Sequence, residues 1–151
     1  MNNKTYYKNV FLPTLKKYEP YELKALLLLK LHLNNDNIKY SFNKNYKYDI
    51  SLNINDKIIK YEIKTDEKSL KTNNIFIEYK SFNKLSGIYT TESDYYIIND
   101  TINFYLIETK DILKLIDDNE YIFIKFVNNT SKAEGYIFEK YKIIDRSIKL
   151  N

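Results

Sequence analysis

Polar and apolar residues alternate along much of this chain, which is the pattern of half-buried β-strands. Four alternating segments predict successive strands at residues 38–43, 47–54, 57–66 and 74–81. Further strands are predicted on either side of Asn99-Asp100 and later in the chain, at residues 94–99, 102–108 and 121–127. The stretch 135–144 is mixed and predicts no single element.

Apolar residues at spacings of three and four predict a helix that packs one face against a core. The stripe consists of Leu26, Leu29 and Leu33. We expect this helix to begin near Pro20, because proline suits the first turn of a helix. An earlier helix is predicted over residues 5–18, where Pro13 would bend or break it.

A third helix is predicted over residues 110–117, with Thr109 as its N-terminal cap. Together the helices and strands predict an α+β fold, in which helices flank a central mixed sheet. A chain of 151 residues is of the size of one domain, so we expect a single domain over residues 1–151.

One predicted hairpin brings two acidic residues together. Asn55-Asp56 is the turn candidate between two alternating segments, and a two-residue loop there fixes a register in which partner numbers sum to 111. That register places Asp49 opposite Glu62, with Lys64 on the same face. Directly opposed residues have Cβ atoms roughly 4.5–5.5 Å apart, so two carboxylates held there would repel each other unless a cation lies between them.

This arrangement is typical of a divalent-metal site, although the polar faces of hairpins also carry acids and lysines without any function. The next predicted strand is mixed as well, with Glu78 and Lys80 expected on one face. Glu78 has three interpretations: it lies beside the metal site, it binds a second metal ion, or it simply pairs with Lys80.

An acid followed one strand later by Glu-x-Lys resembles the motif of the PD-(D/E)xK nuclease superfamily, which includes restriction endonucleases and Holliday junction resolvases. Asp49 matches the first acid, Glu62 the second and Lys64 the lysine, whereas Tyr48 stands where the motif has proline. The resemblance covers residues 15 to 100 and extends to the segment after the motif. It implies a restriction-endonuclease-like core.

The resemblance also implies a mechanism. Asp49 and Glu62 would bind Mg²⁺, with Mn²⁺ as a substitute, and the backbone carbonyl of Ile63 would be a further ligand. Lys64 would stabilise the charge on phosphorus or orient the attacking water. An acid from the preceding helix often completes such a site, and Glu22 is favoured over Glu19, for which helix-terminus stabilisation is a sufficient explanation.

Residues of the predicted loop after residue 81 are candidates for contacting the substrate. They are Ser86, Gly87, Thr90 and Thr91, together with Lys80 on the preceding predicted strand. Glycine allows the backbone to approach a phosphate closely, and hydroxyl and ammonium groups donate hydrogen bonds to phosphate oxygens. An ordinary polar turn is the alternative explanation.

Composition limits the remaining functions. The net charge of +4 suits an anionic partner without demanding one. The absence of cysteine excludes disulfides and thiolate zinc sites, and a single histidine disfavours a Ser-His-Asp triad. No apolar segment has the length of a membrane span, so we expect an intracellular protein that does not act in a membrane.

The sequence thus predicts a Mg²⁺-dependent endonuclease that hydrolyses DNA phosphodiester bonds. The resemblance to resolvases further implies branched DNA as substrate, a role in DNA recombination and a homodimer that cuts two strands. The alternative is a catalytically inactive nuclease-fold domain that binds nucleic acid or a protein partner.

Overall fold

In the computed structural model of the protein, residues 12–43, 47–127 and 132–151 are described. Within these ranges the helices are α1 (Leu12–His32), α2 (Ser69–Thr72), α3 (Thr109–Asp117) and α4 (Lys140–Ile144), with a 3₁₀ turn at Gly87–Tyr89. No helix in the described part of the chain is both long enough and apolar enough to cross a membrane.

The strands form two sheets. The first sheet contains β1 (Lys39–Phe42), β2 (Ile50–Ile54), β3 (Lys57–Thr65), β6 (Tyr95–Asn99), β7 (Phe104–Glu108) and β10 (Ile148–Leu150). Their spatial order is β1-β2-β3-β6-β7-β10. The second sheet has the order β5-β4-β9-β8 and contains β4 (Asn74–Ser81), β5 (Lys84–Leu85), β8 (Phe123–Val127) and β9 (Ala133–Glu139).

The first sheet is mixed, because β3 and β6 run parallel while its other neighbouring strands are antiparallel. This confirms the predicted α+β class, and the arrangement is consistent with a restriction-endonuclease-like core. The predicted hairpin is also confirmed: Asn55 and Asp56 have φ of 50° and 63°, and β2 pairs with β3 from Ile54↔Lys57 to Ile50↔Tyr61.

The two faces of the first sheet are buried against different partners. On one face α1 contributes Ala25, Leu26 and Leu29 to a core with Ile50 and Tyr61. The opposite face packs against the second sheet, α3 and α4. Its buried side chains include Ile75, Ile77, Tyr96, Ile98, Ile112, Phe138 and Ile143. Since Tyr61 and Ile63 face α1, the intervening Glu62 and the following Lys64 face the second sheet.

Several boundaries differ from the sequence prediction. One helix passes through Pro20, where the sequence predicted a helix start. Proline removes one intrahelical hydrogen bond, but the helix continues on both sides of it. Thr109 is the first helical residue rather than the cap, and its hydroxyl donates to the Ser93 carbonyl oxygen at 2.7 Å. Residues 5–11 of the predicted first helix lie outside the described ranges.

Candidate active site

The backbone of β3 holds Asp49 through the residues on both sides of Glu62. The regular β2–β3 ladder ends at Ile50↔Tyr61, so the predicted direct pairing of Asp49 with Glu62 does not form. Instead the Asp49 N–H donates to the Tyr61 carbonyl at 2.9 Å, and Asp49 Oδ2 accepts the Ile63 N–H at 2.7 Å. These two bonds hold Asp49 against β3 next to Glu62, although the two residues are not a regular pair of the ladder.

The two carboxyls are half-buried, and the charge of Asp49 acts on Glu62. Burial raises the pKa of Asp49 to about 6, although the Ile63 N–H and the charge of Lys64 act in the opposite direction. Burial, followed by the charge of Asp49, raises the pKa of Glu62 to about 8, and Lys64 again lowers it. Two such acids favour a bound proton or a bound cation over two bare charges.

Glu22 extends this acidic group from α1. Burial raises its pKa to about 7, and the next largest cause is the charge of Asp49. Glu22 is half-buried, whereas Glu19 is exposed. The structure therefore brings Glu22 into electrostatic contact with Asp49 and Glu62, and leaves Glu19 at the helix surface.

The charge of Lys64 lowers the pKa of both acids, and an aromatic ring lies beside its ammonium group. Its ammonium lies 5.5 Å from the centre of the Phe76 ring on β4, a favourable cation–π distance. Gly135 makes room for that ring, since a Cβ at this glycine would lie 2.3 Å from Phe76 Cε2. The second sheet thus supports the lysine on the face of β3 that also carries Glu62.

The candidate ligands for a magnesium ion are fewer than a complete protein site would supply. Among the described residues, no three acidic or histidine side chains are grouped closely enough to hold a metal ion. Mg²⁺, however, retains several waters and is commonly bound through one or two carboxylates. The N–H and C=O of one strand residue point to the same edge, so the Ile63 carbonyl lies on the edge where its N–H meets Asp49. Asp49, Glu62 and this carbonyl therefore offer hard oxygen ligands.

Glu62 and Lys64 open into a cleft of about 340 Å³ between the two sheets. The cleft is also lined by Ile77, Glu78, Leu85, Ser86, Gly87, Thr90 and Tyr96. Three of the five predicted substrate contacts therefore lie in the same cleft as Glu62 and Lys64. They are Ser86, Gly87 and Thr90.

Glu78 and Lys80 do not pair with each other. The Ser86 hydroxyl donates to Glu78 Oε1 at 2.7 Å, while the Lys80 ammonium lies 2.9 Å from Glu134 Oε1. The expectation that they share one face is wrong, because a β-bulge shifts the register between them: Glu78 pairs with Gly135 and Lys80 with the adjacent residue, Glu134. Glu78 therefore faces the cleft and Lys80 does not line it.

Thr91, the fifth predicted contact, is engaged in the fold. Its hydroxyl donates to the Lys47 carbonyl at 2.9 Å and lies 2.7 Å from the Ser93 hydroxyl. These bonds secure the loop that leads into β6, so the structure gives Thr91 a local structural role.

The sequence prediction missed Tyr96 as a cleft residue. Tyr96 is directly opposite Glu62 in the parallel β3–β6 pairing and is almost fully buried. Burial and the charge of Glu62 raise its pKa, so the phenol stays protonated beside the acids. Its only signal in the sequence is its position in a second apolar strand, which does not disclose the partner strand.

Gly87 is required by the fold itself. Its φ of +52° is left-handed, and a Cβ there would lie 2.2 Å from the Glu78 carbonyl oxygen. We expect Gly87→Ala to destabilise the protein by about 2–4 kcal/mol, since backbone strain and overpacking add. Urea unfolding measures this, with the exposed Lys84→Ala in the same loop region as control. Equal midpoints for the two variants would contradict this account.

The acidic group predicts a pH-dependent stability. Glu62 binds its proton more tightly in the folded state, where its pKa is about 8 instead of 4.5. The folded state therefore binds more protons than the unfolded state across this range, and metal-free stability is expected to fall as pH rises from about 4.5 to 8.

Thermal unfolding in EDTA and in Mg²⁺ from pH 5 to pH 9 measures this effect. Added Mg²⁺ is expected to flatten the decline, because a bound cation favours both charged carboxylates. A metal-free midpoint that rises over the same pH range would contradict the shared burial of these acids.

Comparisons with protein-family models, with curated proteins and with solved structures found no match.

Proposed function

We propose that this chain is a Mg²⁺-dependent nuclease that hydrolyses phosphodiester bonds in DNA. The observation that carries the proposal is a pair of half-buried acids, Asp49 and Glu62, that both have raised pKa values. Glu62 and Lys64 line a cleft wide enough for a phosphate group, and Asp49 is bonded to the backbone of Ile63 between them. The motif resemblance assigns the same three residues to catalysis.

Each residue has a defined task in the proposed reaction. A bound Mg²⁺ would supply Lewis acidity and lower the pKa of a water molecule. Asp49 and Glu62 would hold the ion through ionised carboxylate oxygens, and Ile63 would contribute its carbonyl oxygen. The Lys64 ammonium balances the negative charge that grows on the phosphate as water attacks phosphorus and the leaving oxygen departs.

The remaining cleft residues suit substrate binding. The Thr90 hydroxyl makes only a long bond, 3.5 Å, to the Gly87 carbonyl oxygen, so it can turn to donate to a phosphate oxygen. The Ser86 hydroxyl already donates its one hydrogen to Glu78 Oε1, which fixes that side chain at the cleft. Glu22 holds a third carboxyl close to Asp49. The narrower proposal is that the protein cuts branched DNA as a homodimer. It rests on the resemblance to Holliday junction resolvases.

A cleavage assay tests the proposal. End-labelled four-way junction and linear duplex DNA are incubated with the protein in Mg²⁺, Mn²⁺ or EDTA, beside Lys64→Ala. Exposed Lys57→Ala, at the opposite end of β3, is the matched control. We expect metal-dependent cutting that the control retains and Lys64→Ala loses, with the junction preferred. Failure to cut either DNA with either metal would refute the nuclease assignment.

A binding domain with a degenerate site is the second candidate. It is favoured by the observation that no three metal-binding side chains are grouped among residues 12–43, 47–127 and 132–151. This candidate predicts salt-sensitive DNA binding that neither Mg²⁺ nor Glu62→Gln alters.

A further inference from the structure

The hairpin that joins β4 to β5 has an unusual turn. Ser81 pairs with Lys84, so Phe82 and Asn83 form a two-residue loop, with φ of 47° and 62°. Such turns need left-handed backbone at both positions, for which Asn-Gly is the preferred sequence. A positive φ is unfavourable for a residue as bulky as phenylalanine. Phe82 therefore occupies the tip of the turn in a strained backbone conformation.

The tip exposes apolar surface beside a cation. The side chain of Phe82 is 41% exposed and that of Leu85 is 63% exposed. Lys84, between them in sequence, is exposed as well. An apolar ring and an ammonium group on one short hairpin match the two chemistries of a nucleotide, a flat base and an anionic phosphate.

The hairpin also borders the candidate active site. Leu85 and Ser86, which follow its turn, line the cleft that contains Glu62 and Lys64. The Ser86 N–H donates to the Tyr79 carbonyl at 3.0 Å, and the Ser86 hydroxyl is bonded to Glu78. The returning strand is therefore anchored to β4, and the tip stands at a fixed position on the rim of the cleft.

We infer that this hairpin recognises a nucleobase left without a stacking neighbour in the DNA substrate, with Phe82 stacking on the base and Lys84 contacting a nearby phosphate. The inference rests on the proposed function, because it identifies the DNA that the cleft would cut. Bases at the centre of a branch or at a distortion present a free face, whereas the bases of a continuous duplex do not. Stacking on aromatic side chains tolerates any base, so the contact selects DNA structure rather than sequence.

The experiment measures binding rather than cutting. A four-way junction carries 2-aminopurine at the branch point, and its fluorescence is followed as protein is added in Ca²⁺. Phe82→Gly is compared with Asn83→Gly, which changes the neighbouring turn residue in the same way without removing a ring. Phe82→Tyr tests rescue by another aromatic ring, and a linear duplex with internal 2-aminopurine is the DNA control.

We expect the wild type, Asn83→Gly and Phe82→Tyr to change the branch-point fluorescence, and Phe82→Gly to lose that change and to bind the junction about 10-fold more weakly. Duplex binding should be the same for all four proteins. The unfolding midpoint of Phe82→Gly should stay close to that of the wild type, because relief of the left-handed backbone strain offsets the interaction that Phe82 makes in the fold.

Two results would overturn the inference. If Phe82→Gly bound the junction as tightly as Asn83→Gly, the apolar tip would be assigned to a protein contact. If the unfolding midpoint of Phe82→Gly fell markedly, the ring would have a structural role instead. The outcomes also separate the two proposals. Cutting by the wild type with no effect of Phe82→Gly refutes only the hairpin contact, whereas a ring-dependent fluorescence change without cutting refutes only the nuclease.

Discussion

Replacing Glu62 with Gln is expected to abolish metal-dependent cutting and, in the absence of metal, to make the protein more stable. The substitution removes a metal ligand, so we expect cutting to fall by at least about 10³-fold, as for other groups that stabilise the reacting centre. It also removes a charge that burial and Asp49 disfavour. Metal-free stability at pH 8 should rise by about 1–3 kcal/mol, because each unit of pKa shift corresponds to about 1.4 kcal/mol.

Thermal unfolding in EDTA and cleavage in Mg²⁺ are measured on the same preparation. Glu139→Gln is the matched control, since Glu139 is an exposed glutamate at the end of β9. Loss of cutting together with a fall in metal-free stability would instead assign Glu62 to a structural pair with Lys64. Retained cutting would remove it from the active site.

Asp100→Ala is expected to destabilise the protein by about 3–5 kcal/mol, because it leaves the Lys140 ammonium buried without its partner. Asp100 is 1% exposed and Lys140 is 9% exposed, and the two form an ion pair. Burial would raise the pKa of Asp100, but hydrogen bonds from the Asn103 N–H and from Lys140 outweigh it and hold the pKa at about 2. The pair ties α4 to the turn between β6 and β7.

Urea unfolding of Asp100→Ala beside the exposed Asp117→Ala measures this prediction. A double variant, Asp100→Asn with Lys140→Met, removes both charges and should lose less stability than Asp100→Ala alone. If Asp100→Ala and Asp117→Ala cost the same, the ion pair does not stabilise the fold. The preceding residue, Asn99, donates to Thr65 Oγ1 at 2.9 Å, so this region also supports the end of the strand that carries Lys64.

The features that the sequence predicted are local ones. A two-residue turn at Asn55-Asp56 determines which residues of β2 and β3 face each other, so the hairpin register follows from counting along the chain. Counting alone, however, predicts a ladder that continues to Asp49 and Glu62, whereas the regular pairing ends at Ile50 and Tyr61. Asp49 leaves it to accept the Ile63 N–H, an irregularity that alternation does not signal.

The features that the sequence missed involve contacts between distant segments. Tyr96 lies opposite Glu62 only because β3 and β6 pair in parallel across a long connection, and neither strand encodes the other as its partner. The bulge that turns Glu78 toward the cleft and Lys80 toward Glu134 depends on pairing between β4 and β9. Likewise, the space that Gly135 leaves for the Phe76 ring is visible only in three dimensions.

Calorimetric titration with Mg²⁺ tests the central claim, that Asp49 and Glu62 together hold a divalent cation. Because burial raises the pKa of Glu62 to about 8, binding at pH 7 should release close to one proton, which titrations in two buffers of different ionisation enthalpy will reveal. We expect binding with proton release in the wild type and in Glu139→Gln, and none in Glu62→Gln. Absence of Mg²⁺ and Mn²⁺ binding to the wild type, or unchanged binding to Glu62→Gln, would contradict the account.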